Sequence, residues 1–397
     1  MIAADPATWP WATTSRGTRL SNLENVTIAF QNDPELQALV WYDEFLDRLL
    51  TGAPAREWAD ADDVRVAVQL QQDFWLKQVT PGQVRAVLDQ RARAFPRHAV
   101  RDWLATLEWD GEPRIAAAFE DYWGAEPSER QSDTYIRAAS ANFFIGLAAR
   151  VLKPGCQLDH MVVFEGAQGV GKTTALRLLG GPWYALAHES VTKKDFFEAL
   201  QGKWLIEVGE LDAFSRAEVT RVKTVISTPT DRYRASYARS AVDRPRQCVF
   251  AGTTNADAWG HDETGLRRFW PLRVGTIRLD LLGVARAQLF AEAAVAVREG
   301  RSWWEMPSDA TSVQAARQAE HPWTEPILAW LSREGVTETT TTDVLRSCLK
   351  MDDADLRMNH AHDVGRVLKL AGWMKRDARR GPRVVKVWVS PAAVQEA

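Results

Sequence analysis

The chain has 397 residues, enough for two or three domains, and its 46% hydrophobic and 25% charged residues match the averages of globular proteins. This excludes a disordered, collagen-like or disulfide-scaffold chain, and a formal net charge of −3 excludes a uniformly basic nucleic-acid coat. Cys156, Cys248 and Cys348 lie far apart, so neither a zinc site nor a disulfide framework is indicated. No signal peptide and no apolar run of about 18 residues is present, so a cytoplasmic protein of a bacterial host cell with no membrane partner is expected.

Residues 1–155 are predicted to form a helical N-terminal region. Breakers delimit helices at Glu35–Leu49, Val64–Val79, Gln83–Ala94, His98–Leu107 and Arg114–Trp123, and a longer one runs from Ser132 to Leu152 before Pro154-Gly155. The pattern then changes. Met161–Phe164, Trp204–Val208, Cys248–Gly252 and Phe269–Leu272 are short apolar runs of the kind that form fully buried strands, and the first leads into a Gly-rich turn and a helix from Lys172 to Leu179. Strands alternating with helices predict an α/β core with a parallel sheet over 156–306. Beyond a connecting segment, residues 323–397 read as three helices, Trp323–Arg333, Asp343–Leu349 with Thr342 as N-cap, and His362–Ala371. A hairpin over Trp373–Val389 follows, the order of a winged-helix-like domain.

The Gly-rich turn is Gly166-Ala-Gln-Gly169-Val-Gly171-Lys172-Thr173, a match to G-x-x-x-x-G-K-[ST] between a strand and a helix. Glycines let such a loop curl so that successive backbone N–H groups face an anion at a helix N-terminus. Lys172 is expected to reach the β- and γ-phosphates of ATP and Thr173 to enter the Mg²⁺ shell, with Gly166, Gln168, Gly169, Gly171 and Thr174 completing the nucleotide-binding set. Glu207 and Glu210 end the second apolar strand, where one carboxylate serves the metal and one the attacking water. Their i, i+3 spacing requires the chain to turn at Gly209 if both take part. Asn255 ends the next strand as a candidate γ-phosphate sensor. Arg267 and Arg268 precede the last strand as a candidate arginine finger, the alternative being a surface basic pair.

The stretches Trp109-Asp-Gly-Glu-Pro-Arg, Leu152-Lys-Pro-Gly-Cys-Gln-Leu-Asp-His, the P-loop, Trp204-Leu-Ile-Glu-Val-Gly-Glu-Leu-Asp, Asp231-Arg-Tyr-Arg, Phe250-Ala-Gly-Thr-Thr-Asn and Thr264-Gly-Leu-Arg-Arg-Phe-Trp-Pro, in this order, resemble the virulence-associated protein E family. The resemblance runs from about residue 20 to 300 and implies a P-loop ATPase of phages, prophages and mobile islands, similar to superfamily 3 replicative helicases and AAA+ ring motors. It also implies a homo-oligomeric, hexameric ring and a separate primase as partner. The chain departs from the family at Tyr237-Ala238-Arg239, where relatives have Tyr-Gly-Arg.

Two clusters suit DNA. Ser215–Arg246 interleaves Arg232, Arg234, Arg239 and other cations with Tyr233 and Tyr237, a combination that neutralises phosphates and stacks bases of a single strand. Pairing of these arginines with Asp231 or Asp243 is the competing reading. In the last domain Arg379, Arg380 and Arg383 belong to a run of eight basic residues against one acid over Arg366–Lys386, suited to duplex backbone or to protein docking. The reading is an ATP-dependent DNA helicase or translocase of a phage or mobile element. An ATP-gated DNA- or protein-binding switch is the alternative, and a small-molecule kinase is disfavoured because no substrate-lid segment is evident.

Overall fold

A computed structural model describes residues 5–187, 195–211, 216–233, 241–255, 266–317, 323–352, 355–380 and 383–395, in two compact units, Met1–Arg317 and Gln318–Ala397.

The first unit opens with α1 (Leu23–Asn32), capped by Asn22, and α2 (Pro34–Ala38), capped by Asp33 with proline in its first turn. The helix expected over Glu35–Leu49 stops there. The chain instead forms an antiparallel sheet of β1 (Val40–Asp43), β2 (Arg48–Thr51) and β3 (Arg56–Glu57), so the N-terminal region is not purely helical. Trp41 and Tyr42 favour a pleated surface, the Asp43 carboxylate accepts from the N–H groups of Phe45 and Leu46 to close the turn, and Tyr42 and Leu49 pack into the neighbouring core. Helices α3 (Asp60–Asp73) and α4 (Pro81–Ala94) pack with α1 around Phe30, Tyr42, Leu70 and Leu88, a cluster separate from the main core.

Next come α5 (Ala99–Ala105), α6 (Ala118–Trp123) and α7 (Asp133–Leu152), then β4 (Met161–Glu165), α8 (Lys172–Gly180) and β5 (Tyr184–Leu186). After α9 (Asp195–Ala199) and β6 (Leu205–Val208), α10 (Arg216–Ser227) leads to an antiparallel pair, β7 (Thr230–Tyr233) and β8 (Val242–Pro245). The unit closes with β9 (Val249–Thr254), β10 (Phe269–Arg273), α11 (Leu279–Arg298) and α12 (Ala310–Ala315). Strands β10-β4-β9-β6-β5 form one five-stranded sheet, parallel throughout. Every residue of β4, β6 and β9 is buried, which is why these strands read as continuous apolar runs and not as alternating ones.

Helices cover both faces. On one, α7 and α11 join Phe144, Phe164, Trp204 and Phe290 in a core that draws on helices from before residue 155 as well as on the sheet. Trp204 is fully buried, its ring 4.7 Å from that of Phe290 and its indole N–H donating to the Leu147 carbonyl at 2.8 Å. On the other face, Val219, Val222 and Ile226 of α10 meet Phe250 and Phe269. Among the described residues no helix is long and apolar enough to cross a membrane.

The second unit contains α13 (Thr324–Arg333), β11 (Glu338–Thr339), α14 (Thr341–Asp343) continuing into one π-helical turn (Val344–Cys348), α15 (Met358–Leu370), β12 (Met374–Arg380), β13 (Arg383–Val389) and α16 (Pro391–Gln395). The sheet order is β11-β13-β12, antiparallel, with Met374 opposite Val389 and Arg380 opposite Arg383. Thr340, not Thr342, is the N-cap: its hydroxyl accepts from Asp343 N at 3.1 Å while the Asp343 carboxylate accepts from Thr340 N at 3.2 Å. Strand pairing ends at Thr339, so the helix starts earlier than the sequence suggests. Ile327, Leu331, Val364, Leu368 and Trp388 form this unit's own core.

An ion pair ties the end of the first unit to the strand that precedes the P-loop. Arg317 and Glu165 are 1% and 2% exposed by side chain and lie 3.0 Å apart, and Arg317 also donates to the Arg130 carbonyl at 2.7 Å. Removing one partner of such a pair leaves an uncompensated buried charge. Arg317→Met is therefore expected to destabilise the unit by about 3–5 kcal/mol, and adding Glu165→Gln to recover a large part of it. Denaturant unfolding of the single and double variants measures this; equal losses in both would contradict it.

Candidate functional site

The carboxyl ends of β4, β6 and β9 are neighbours in the sheet and open onto one cleft of about 650 Å³. Between Glu165 and Lys172 the loop curls with Gly169 at φ +87° and Gly171 at φ +99°, conformations that a Cβ would strain. Gly171 is the N-cap of α8 and offers no side chain to it, so no side chain caps the helix's first N–H groups where they border the cleft. An uncapped helix N-terminus behind a curled glycine loop is an anion site. Gln168, Gly169, Gly171, Lys172, Thr173 and Thr174 all line the cleft, and Gly166 sits behind them, its N–H donating to the Thr254 carbonyl at 3.3 Å.

The Lys172 ammonium is held by oxygen acceptors. It donates to the carbonyls of Gly166 at 2.6 Å and Ala167 at 3.0 Å, and to Asn255 Oδ1 at 3.1 Å. Asn255, expected as a sensor at the end of its strand, thus stands beside the loop's lysine. Glu207 is 1% exposed. Its Oε1 accepts from Thr173 Oγ1 at 2.7 Å and from Thr253 Oγ1 at 2.8 Å, and its Oε2 accepts from the Tyr184 hydroxyl at 2.6 Å. Burial, and then the hydrogen bond to Glu207, push the Tyr184 phenol above its ordinary pKa. The chain leaves β6 at Gly209, and Glu210 takes φ +52° at the cleft's exposed edge. Both carboxylates therefore border one space, one buried and clamped, the other solvent-facing. Thr253 and Tyr184 were not singled out in the sequence, since each belongs to the site only through the pairing of β9 and β5 with β6.

The donor set fits Mg²⁺ and the phosphates of ATP. Thr173 and Glu207 supply hard oxygen ligands side by side, and no cluster of three or more His, Cys, Asp or Glu side chains among the described residues forms a metal cage of its own. That is the pattern of an ion held by one or two protein oxygens together with substrate phosphates.

Arg267 and Arg268 do not share this cleft. Phe269 is paired with Met161, the first residue of β4, so the arginines stand at the amino end of the sheet. The five residues of β4, about 13 Å from first to last Cα, separate that end from the P-loop. Arg268 donates to the Lys223 carbonyl at 2.9 Å and is half-buried, whereas Arg267 is exposed. Both border a second cavity walled by Trp270, Trp303 and Trp304. There the His160 ring stacks on Trp270 at 3.5 Å, and burial, with a smaller contribution from Arg150, lowers its pKa to about 3.

Of the residues read as contacting a single strand, Arg232 lies in β7 and meets Asp243 of β8 at 3.8 Å, both well exposed. Arg234, Tyr237 and Arg239 lie outside the described residues. Arg246, in the same basic stretch, is buried with Asp231 and donates to the Val225 carbonyl, so its role is structural. In the second unit Arg379 is exposed on β12; the side chains of Arg380 and Arg383 lie outside the described residues.

The model of the virulence-associated protein E-like domain matches residues 104–322, more than half of the chain and all of the cleft. No curated protein matches. Among solved structures the chain is similar to the apo structure of the NrS-1 C terminal region (305–718), with a TM-score of 0.48 and 12% identity over 88% of this chain and 95% of that one. An A form of the same apo region gives a TM-score of 0.45 and 11% identity, covering 88% and 96%.

Proposed function

The chain belongs to the virulence-associated protein E-like family, and from that premise we propose that it is an ATP-hydrolysing motor that moves along DNA, a helicase or translocase serving replication of a phage or mobile element. The observation that carries the reading is the convergence of Lys172, Thr173, Glu207, Glu210 and Asn255 on one cleft behind a glycine loop. In this account the loop and Lys172 hold the β- and γ-phosphates, and Thr173 and Glu207 hold Mg²⁺, which neutralises charge on the phosphate oxygens. Glu207 is buried and oriented by three hydroxyls beside Thr173, whereas Glu210 faces solvent at the rim. The metal role therefore falls to the first, and orientation of the attacking water to the second. Asn255 is read as the γ-phosphate sensor, which its contact with Lys172 supports.

Arg267 is too far from its own cleft to serve it, so as a finger it acts on the cleft of a second copy, consistent with a ring, a hexamer in our reading. Arg268, bonded to Lys223 O, positions the turn. The β7–β8 pair presents Arg232 to the single strand. Its pairing with Asp243 is long and solvated, which leaves the guanidinium available to phosphate. The second unit, with its order of helices and its basic hairpin bearing Arg379, Arg380 and Arg383, is read as a winged-helix-like module gripping duplex DNA. A primase supplied by another chain would complete the replication machinery.

The test of this function is ATP turnover with and without single-stranded DNA, measured alongside strand displacement. A motor shows turnover stimulated by the strand and coupled to unwinding; DNA binding with turnover indifferent to it would favour the ATP-gated switch. Lys172→Ala is expected to lower hydrolysis by at least about 100-fold in a chain that still unfolds cooperatively, because a donor to the developing charge is lost. Near-normal turnover in the folded variant would sink the P-loop assignment. Arg267→Ala is expected to lower hydrolysis by roughly 1,000-fold while sparing ATP binding. Mixing it with Lys172→Ala subunits should restore part of the activity, since one intact cleft then meets one intact finger. Absence of rescue in assembled mixtures would point to a self-contained site.

A further inference from the structure

Glu207 lies two residues along the sheet from Tyr184. In the β5–β6 register Tyr184 stands opposite Leu205, and Leu186 opposite Glu207, so the tyrosine and the carboxylate are diagonal neighbours on one face. The phenol spans that diagonal to reach Oε2 at 2.6 Å. Two other observations show that the approach is built into the fold. The first is α8: a Cβ placed on Gly180 would come within 2.7 Å of Tyr184 Cβ and 3.2 Å of Leu205 Cβ, so only glycine lets β5 lie this close to the helix that carries the P-loop lysine. The second is Arg177 of α8, whose guanidinium lies 5.6 Å from the centre of the Tyr184 ring.

We propose that Tyr184 is a positioning residue for the metal-binding carboxylate, its hydroxyl anchoring Oε2 so that Oε1 stays turned toward Thr173. The inference rests on the reading that Thr173 and Glu207 hold Mg²⁺. Among the described residues, the contacts to Glu207 divide cleanly: the two threonine hydroxyls share Oε1, and Tyr184 takes Oε2. Removing the Oε2 anchor leaves the carboxylate free to rotate about its terminal torsion, a broad, soft coordinate. Outer hydrogen bonds of this kind orient a metal ligand, and their loss typically weakens metal affinity by 10- to 100-fold.

Tyr184→Phe keeps the ring, its packing against Arg177 and its fit above Gly180, so the fold is preserved and the hydroxyl alone is tested. Binding of a fluorescent, non-hydrolysable ATP analogue is titrated with Mg²⁺, with a parallel titration in EDTA and a thermal melt. The expected result is that the Mg²⁺ concentration for half-maximal enhancement of analogue binding rises about 10-fold, while binding in EDTA and the thermal midpoint match those of the unaltered chain. A half-point within twofold of the unaltered chain's would overturn the proposal. If the unaltered chain binds the analogue with no dependence on Mg²⁺, the failure lies instead with the assignment of Thr173 and Glu207.

Discussion

The structure depends on where a parallel sheet brings its strand ends together. In β4, β9 and β6 every residue is buried, which fixes the strands as central and aligns their carboxyl ends. The P-loop after β4, Thr253 at the end of β9 and Glu207 at the end of β6 then have nowhere to project but a shared edge. One carboxylate records this convergence. Glu207 accepts from a threonine 34 residues before it, a threonine 46 residues after it and a tyrosine 23 residues before it, so any slip in strand order or register would break the site.

Charge is distributed by the same logic. The basic stretch before β9 is not a uniform nucleic-acid surface, because Arg246 turns inward to Asp231 and seals the base of the β7–β8 pair. Arg232, one position from the opposite end of that pair, stays in solvent. Arg317 likewise neutralises Glu165, the last residue of β4 before the glycine loop. Buried pairs of this kind add little net stability, yet losing one partner is costly, which makes them good determinants of a single local arrangement.

The parts of the molecule legible in the sequence are those written in local pattern. The apolar strands, the helix after the P-loop and the long helix ending at Leu152 announce themselves by runs and breakers, and the phosphate loop by its glycines. Segments whose conformation is decided by tertiary partners were harder to read. The apolar residues of Val40–Leu50 suit a helix face as well as a hairpin, and only the turn made by Asp43 and the packing of Tyr42 and Leu49 decide between them. Helix α11 is buried from Leu289 to Ala294 without a break and so shows no polar face to mark its period. Tyr184 sits in a three-residue edge strand with no motif around it. Its importance lies in register, a quantity that no window of sequence contains. The position of Arg267–Arg268 was legible as the start of a strand; that this start lies at the far end of the sheet from the P-loop required the pairing of Phe269 with Met161.

If this cleft holds Mg²⁺ and ATP between neighbouring subunits, a structure of the protein with Mg²⁺ and a non-hydrolysable ATP analogue will show it. The expected complex has phosphates cradled by Gly169–Thr173, the metal between Thr173 and Glu207, and Arg267 of an adjacent copy approaching the γ-phosphate. An analogue bound elsewhere, or bound in this cleft with no second copy near its γ-phosphate, would contradict it.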